Sequence, residues 1–321
     1  GDNFYDLNKV SNILDLDNYT DGDKSVFTIN GKLNAIPISN TGRVFCWNKT
    51  TFDKIGVEIP TTLDELLAAG KAFEAYDESY YPMVTKELDR AFLMVYYLQC
   101  KYGKDWVKDG ALQYSQEEIA EGFDFLKNLE DNHVIPTLQK VAGDGADLID
   151  TNANWIDGHY AGIFLYDTSI VKHAEAVKDG EFVIGDYIKM GDYHGGFIKV
   201  NQAFGISATT EHPAEAAALI QFLVAEEDGV KTLGDTRGVP ANKAGLSMLD
   251  LSGSQVAEAN AKVMEWSSFQ MDPTFERNSF TGADGTFFNA LQLSSYGESD
   301  SMSCAKIVED GVANELSSTG L

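Results

Sequence analysis

The chain has 321 residues, 44% of them apolar, and carries 24 Lys+Arg against 50 Asp+Glu, a formal charge of -26. Such a chain can bury a large core, and its length makes two domains the starting expectation. Its charge repels nucleic-acid phosphates and anionic lipid headgroups, which argues against nucleic acid or any other polyanion as a partner.

From the start of the chain, Phe4 to Val10 reads as a helix, and Ile13 to Tyr19 as the end of a further element. Ser25–Ile29 and Leu33–Ile38 are β-rich runs around Asn30-Gly31, the dipeptide that type I′ hairpins favour. Val44–Trp47 is an apolar strand, and Gly56 is placed to end a short helix. Thr62 and Glu65 then form the S/T-x-x-E box that opens the next helix, with Leu63, Leu66, Leu67 and Phe73 on one face. Ser115 and Glu118 repeat that signature ahead of Ile119, Phe123, Leu126 and Leu129. Ala161–Tyr166 and Phe182–Ile188 read as strands, Gly191–Gly196 as a glycine-rich loop, and Phe204–Ala208 as a small-residue strand. Pro213 suits the first position of an alanine-rich helix through Leu223. Arg237–Asn242 is turn-rich, and helices are expected around Ser254–Trp266, Gly285–Leu293 and Ser303–Leu316.

Chemistry-bearing patterns are sparse. Cys46, Cys100 and Cys304 are widely spaced and lack a CxxC pair, so they read as buried free thiols, with one disulfide left open. The five histidines show no H-x-x-x-H pairing, and Asp17–Asp23 departs from a calcium loop, with Tyr19 at its third position and Thr28 at its twelfth. No G-x-S-x-G elbow, P-loop or G-x-G-x-x-G is present, so the chain reads as a non-enzyme without cofactor or metal. No apolar run approaches the ~18 residues needed to span a membrane. The opening GDNFYDLNK lacks the basic start and apolar core of a signal peptide. Sugar sites pair aromatic platforms with hydrogen-bonding side chains, and Tyr166-Asp167-Thr168 at a strand end and Phe287-Phe288 supply candidates. Core packing and capping explain the same residues.

Several segments, in order, resemble one family. Arg43–Phe73 follows the pattern N-K-x-x-F-x-x-x-G-V-x-x-P-x-T-x-D-E. Residues 13–19 resemble a helix exit L-L-D-L-x-x-Y, and residues 31–49, GKLNAIPISNTGRVFCWNK, a passage between lobes that ends Y-N-K, with Trp47 in place of the tyrosine. Gly158–Tyr166 resembles a G-x-x-A-M strand, and Gly205–Leu223, GISATTEHPAEAAALIQFL, a return between lobes. RGVPAN at 237–242 is similar to a segment common in Gram-positive members. Together these resemble the ABC-transporter extracellular solute-binding proteins, family 1, of the maltose- or oligosaccharide-binding kind.

The resemblance implies an α/β, periplasmic-binding-protein-like type II fold of two α/β lobes joined by a multi-crossing hinge. Residues 1–40 and 202–274 are expected in the first lobe, 41–201 and 275–321 in the second, with crossings near Ser39–Gly42, Lys199–Ala203 and Thr274–Ser279. It implies a mono- or oligosaccharide ligand held between the lobes and delivered to ABC permease subunits by hinge closure. The location implied is extracellular or periplasmic, with a lipid anchor on the full-length protein. Family members begin with βαβ units, so the first lobe is expected to be incomplete by roughly 60–100 residues, at ~30 residues per unit. Residue by residue, Asn40, Thr41 and Arg43 match the first hinge, where side chains reach the ligand. Asp89, Arg90 and Phe92 match a helix start that offers an aromatic ring to sugar. Tyr166, Asp167 and Thr168 match a site loop that often carries glycine and tryptophan, both missing here. Phe287 or Phe288 matches a second platform, and His194 and Phe197 lie in the loop before the return crossing. A binding protein for a non-sugar solute, or a secreted glycoside-active enzyme, is the alternative.

Overall fold

A computed structural model describes residues 3–319. The chain divides into two units, Gly1–Gly42 with Ile198–Ala261 and Arg43–Phe197 with Lys262–Leu321. Residues 262–274, expected with the first group, cluster with the second.

In the first unit the strand Ile36–Thr41 runs antiparallel to residues 198–204 of the strand Phe197–Phe204, with Ile36 opposite Phe204 and Thr41 opposite Lys199. Leu7, Val10, Leu14, Tyr19, Leu33, Ile36 and Ile206 pack with Ala217, Ile220 and Val224 of the helix Pro213–Ala225 to form the core. Pro213 stands at the start of that helix, where its missing N–H costs no hydrogen bond. The Asn30-Gly31 turn forms with φ of 53° and 76°, the pair of positive values a type I′ turn requires. Its strands are short, Thr28–Ile29 and Lys32–Leu33. Thr20 and Asp23 make a reciprocal capping box, and Ser25 is drawn into the helix Asp21–Ser25. The strand expected at Phe204–Ala208 lies earlier and ends at Phe204. A Cβ on Gly205 would stand 2.9 Å from the Phe4 ring and 3.2 Å from the Asn34 carbonyl oxygen, so the backbone is pressed against its neighbours there. Phe4 to Val10 holds a single 3-10 turn, Leu7–Val10, in place of the longer helix.

The second unit is built on a three-stranded antiparallel sheet with Arg43–Asn48 at its centre, Gly162–Tyr166 on one side and Phe182–Ile184 on the other. Every residue of the central strand is buried, as its near-continuous apolar run requires. Trp47 fixes both neighbours: a Cβ on Gly162 or Gly185 would come within 2.3 Å or 2.2 Å of its indole. The strand expected through Ile188 therefore stops at Ile184, and Gly185 N–H makes a last bond to Phe45 O at 2.8 Å. The helices of this unit include Lys49–Ile55, Leu63–Tyr76, Glu87–Tyr102, Gln116–Asp131, Thr286–Ser295 and Ser301–Thr319. Gly56 ends the first of them with φ 81°, and Ser115 with Glu118 caps the fourth. Cys46, Cys100 and Cys304 are free and buried.

The Thr62–Glu65 box gives a pH prediction. The backbone N–H of Thr61 first, then its hydroxyl, hold the Glu65 carboxyl below its ordinary value of 4.5. A carboxyl depressed in the folded state stabilises fully above its unfolded value, and that contribution fades as pH falls through the folded one. Glu65→Gln should therefore lower Tm at pH 7, with the gap to wild type closing below about pH 4.5, as measured by calorimetry across pH.

Candidate functional site

Arg43 opens the central strand of the second unit directly opposite Tyr166, the last residue of its neighbour. Its Nη1 donates to Asp89 Oδ1 at 2.7 Å and to the Phe164 carbonyl at 2.6 Å. The guanidinium carbon lies 4.5 Å from the Tyr166 ring centre and 4.8 Å from that of Phe92, both within cation–π range. Asp89 sits in the first turn of Glu87–Tyr102, where its Oδ2 accepts from Lys86 N at 3.1 Å and the helix end favours negative charge. Arg43 is thus fixed in position.

Arg43, Lys86, Asp89 and Tyr166 line a cavity of about 560 Å³ that lies wholly within the second unit. Tyr166 and Phe288 present half-buried rings to it, the latter from the helix Thr286–Ser295. Gln292, one turn on, donates to Glu87 Oε1 at 2.9 Å. The Lys86 ammonium bonds the Asp147 carbonyl oxygen at 2.7 Å, and Lys172 pairs with Asp150 at 2.9 Å. His173 Nδ1 donates to the Ser169 carbonyl at 2.9 Å. The lining therefore combines aromatic faces with donors and acceptors, the set that a ring bearing C–H faces and hydroxyls needs.

Of the anticipated residues, Arg43, Asp89, Tyr166 and Phe288 come together here. Phe92 and Phe197 lie beneath them, 2% and 4% exposed with ring centres 4.7 Å apart, and support Arg43 and Tyr166 from below. Arg90 is turned into the packing instead, paired with Glu130 and bonded to the Pro136 carbonyl. Asp167 is buried and accepts from Thr168 N at 2.7 Å, a local turn contact. Phe287 is buried against Phe280 and Trp106, with ring centres at 5.3 and 6.1 Å. Asn40 and Thr41 belong to the first unit, where Asn40 Nδ2 donates to Asp23 Oδ1 at 3.0 Å and Thr41 is buried.

His194 lines a different cavity of the second unit, about 530 Å³, and stacks on Trp266 at 3.9 Å. The sequence reading missed Lys86, Glu87, Lys172 and Gln292. Glu87 carried a signal, since with Asp89 it makes the acidic first turn that marks a helix N-terminus, and Lys86 stands just before it. Lys172 and Gln292 carried none. Among the described residues, no group of three or more His, Cys, Asp or Glu is placed to hold a metal ion.

The sequence model of a family described as bacterial extracellular solute-binding protein matches residues 2–253. A periplasmic solute-binding protein from Pectobacterium atrosepticum is similar at 32% identity and TM-score 0.91, over 99% of this chain and 81% of that one. A periplasmic oligogalacturonide-binding protein from Yersinia enterocolitica, in complex with saturated digalacturonic acid, is similar at 31% identity and TM-score 0.88, over 99% and 81%. A structure described as a de novo designed cysteine esterase is similar at 30% identity and TM-score 0.87, over 98% and 80%.

Proposed function

Because the chain belongs to the bacterial extracellular solute-binding proteins, we propose that it captures an acidic saccharide in the Arg43–Tyr166–Phe288 cavity and delivers it to the permease of an ABC importer. Proteins of this family work outside the cytoplasm, in the extracellular or periplasmic space. No helix among the described residues is long and apolar enough to cross a membrane.

The observation that carries the saccharide reading is the pairing of Arg43 with the Tyr166 ring in the lining of a cavity large enough for a small oligosaccharide. Tyr166 and Phe288 provide platforms for C–H faces, while Arg43, Gln292 and Glu87 provide directional partners for hydroxyls. Arg43 and Lys172 are each matched by a carboxylate, whereas the Lys86 ammonium, bonded to a carbonyl oxygen, is the cation placed to meet a carboxylate of the ligand among the carboxylates Glu87, Asp89, Asp147 and Asp150 of the lining. The Yersinia enterocolitica relative, described with saturated digalacturonic acid, points to the same ligand class.

Isothermal titration against galacturonate, digalacturonate, galactose and maltose tests this. The expected result is a dissociation constant in the micromolar range, about -8 kcal/mol, for an acidic sugar, with weaker binding of the neutral ones. Heat from a polyamine or amino acid but from none of these sugars would reject it.

A further inference from the structure

We propose that Asn30 is a self-modification site, where the chain loses ammonia without an enzyme and gains a negative charge in the first unit. Asn30-Gly31 is the only Asn-Gly pair among the 321 residues. Both residues are exposed and stand outside the hairpin ladder, which pairs Ile29 with Lys32 and Thr28 with Leu33. Every other asparagine is followed by a residue whose side chain crowds the next backbone nitrogen, whereas Gly31 carries none. A Cβ built on Gly31 would meet nothing within 4 Å, so the turn stands clear of the packing. Strands of two residues hold it, and so short a hairpin opens at little cost.

The chemistry needs only water as co-reactant. The Gly31 backbone nitrogen gives up its proton and bonds to the Asn30 side-chain carbonyl carbon; the bond from that carbon to the amide nitrogen breaks, and ammonia leaves. The cyclic imide that remains takes up one water at either carbonyl. One opening leaves aspartate, and the other leaves isoaspartate, with the backbone rerouted through the side-chain carbon. Each adds a carboxylate to a chain already at -26. The two products differ in what they do to the fold. Aspartate tolerates the φ of 53° at this position, as short polar residues do. Isoaspartate lengthens the main chain by a methylene and breaks the two-residue turn that sets the register. That register carries Leu33 into the core and its N–H to Asp6 Oδ1 at 3.2 Å, while Asn8 Nδ2 donates to the Gly31 carbonyl at 3.3 Å. Isoaspartate therefore loosens the 3-10 turn Leu7–Val10 from the hairpin.

Ammonia release, ion-exchange retention and peptide mapping should be followed in mildly alkaline buffer for the intact protein, for the chain unfolded in guanidinium and for Asn30→Gly. Gly-Gly keeps the hairpin turn and removes the amide, so that variant should fold and form no acidic product at position 30. In the wild type an acidic form should grow in, with both products mapped to position 30 ahead of any other asparagine. Because the hairpin opens easily, the native rate should lie within about tenfold of the unfolded one. The isoaspartate form, separated by chromatography, should melt below the aspartate form. A native rate slower than that margin, conversion first at another asparagine, or an equal acidic shift in Asn30→Gly overturns the proposal. An isoaspartate form that melts with the aspartate form overturns the role given to the hairpin register.

Discussion

Arg90→Ala should destabilise the second unit by about 3–5 kcal/mol, the usual cost of leaving one partner of a buried ion pair uncompensated. Arg90 is 1% exposed, and its side chain joins Glu130 of the helix Gln116–Asp131, the Pro136 carbonyl and Ser295 Oγ, the last at 3.3 Å. Burial pulls the Arg90 pKa down, and the Glu130 charge opposes that fall, so the carboxylate offsets the desolvation of the guanidinium. Removing the guanidinium strands the Glu130 carboxylate, which is 4% exposed. At roughly 2–4 °C per kcal/mol for a body of this size, Tm should drop by about 6–20 °C in a calorimetric scan. The double replacement Arg90→Met with Glu130→Leu should recover most of that loss, because an apolar pair of similar volume needs no desolvation. A drop of under 1 °C in the single variant would mean that water reaches Glu130.

Arg43→Ala should weaken acidic-saccharide binding by about 2–4 kcal/mol, roughly 30- to 1000-fold in dissociation constant. The substitution removes a donor beside the Tyr166 ring and leaves the Asp89 carboxylate facing the ligand unpaired. Arg43→Lys should lose most of the same affinity. A lysine keeps the charge but not the planar fork that reaches Asp89 and the Phe164 carbonyl together while lying over two aromatic rings. Because Arg43 is 3% exposed, Tm will also fall, and titration below the variant's own transition separates the two effects. Unchanged affinity in Arg43→Lys would show that the ligand is held elsewhere.

Local signals in the sequence placed most elements. The Thr62–Glu65 and Ser115–Glu118 boxes start the helices they were expected to start, because capping is settled within four residues. Strand ends were less legible. Whether Ile184 or Ile188 ends a strand depends on the Trp47 indole against Gly185, a contact between residues 138 positions apart in a pattern that shows no trace of it. The site shows the same division. Arg43, Asp89, Tyr166 and Phe288 come from four distant segments and meet at one cavity.

Their immediate neighbours Arg90 and Phe287 do not. One step along a helix turns a side chain by about 100°, so Asp89 faces the cavity while Arg90 faces Glu130, and Phe288 faces the cavity while Phe287 enters the core. A motif match located the right turn of helix, and only packing chose the residue. Trp266 offered even less, since a tryptophan ending a polar helix has no pattern that foretells the rings of Tyr187 and His194 beside it.

The most direct test of saccharide capture at Arg43 is a crystal structure of the protein grown with digalacturonate. The expected map shows a sugar ring against Tyr166 or Phe288, with a carboxylate within hydrogen-bond reach of Arg43 or Lys86. Clear density for the sugar away from all four residues, or an empty Arg43 cavity at saturating ligand, would contradict the account.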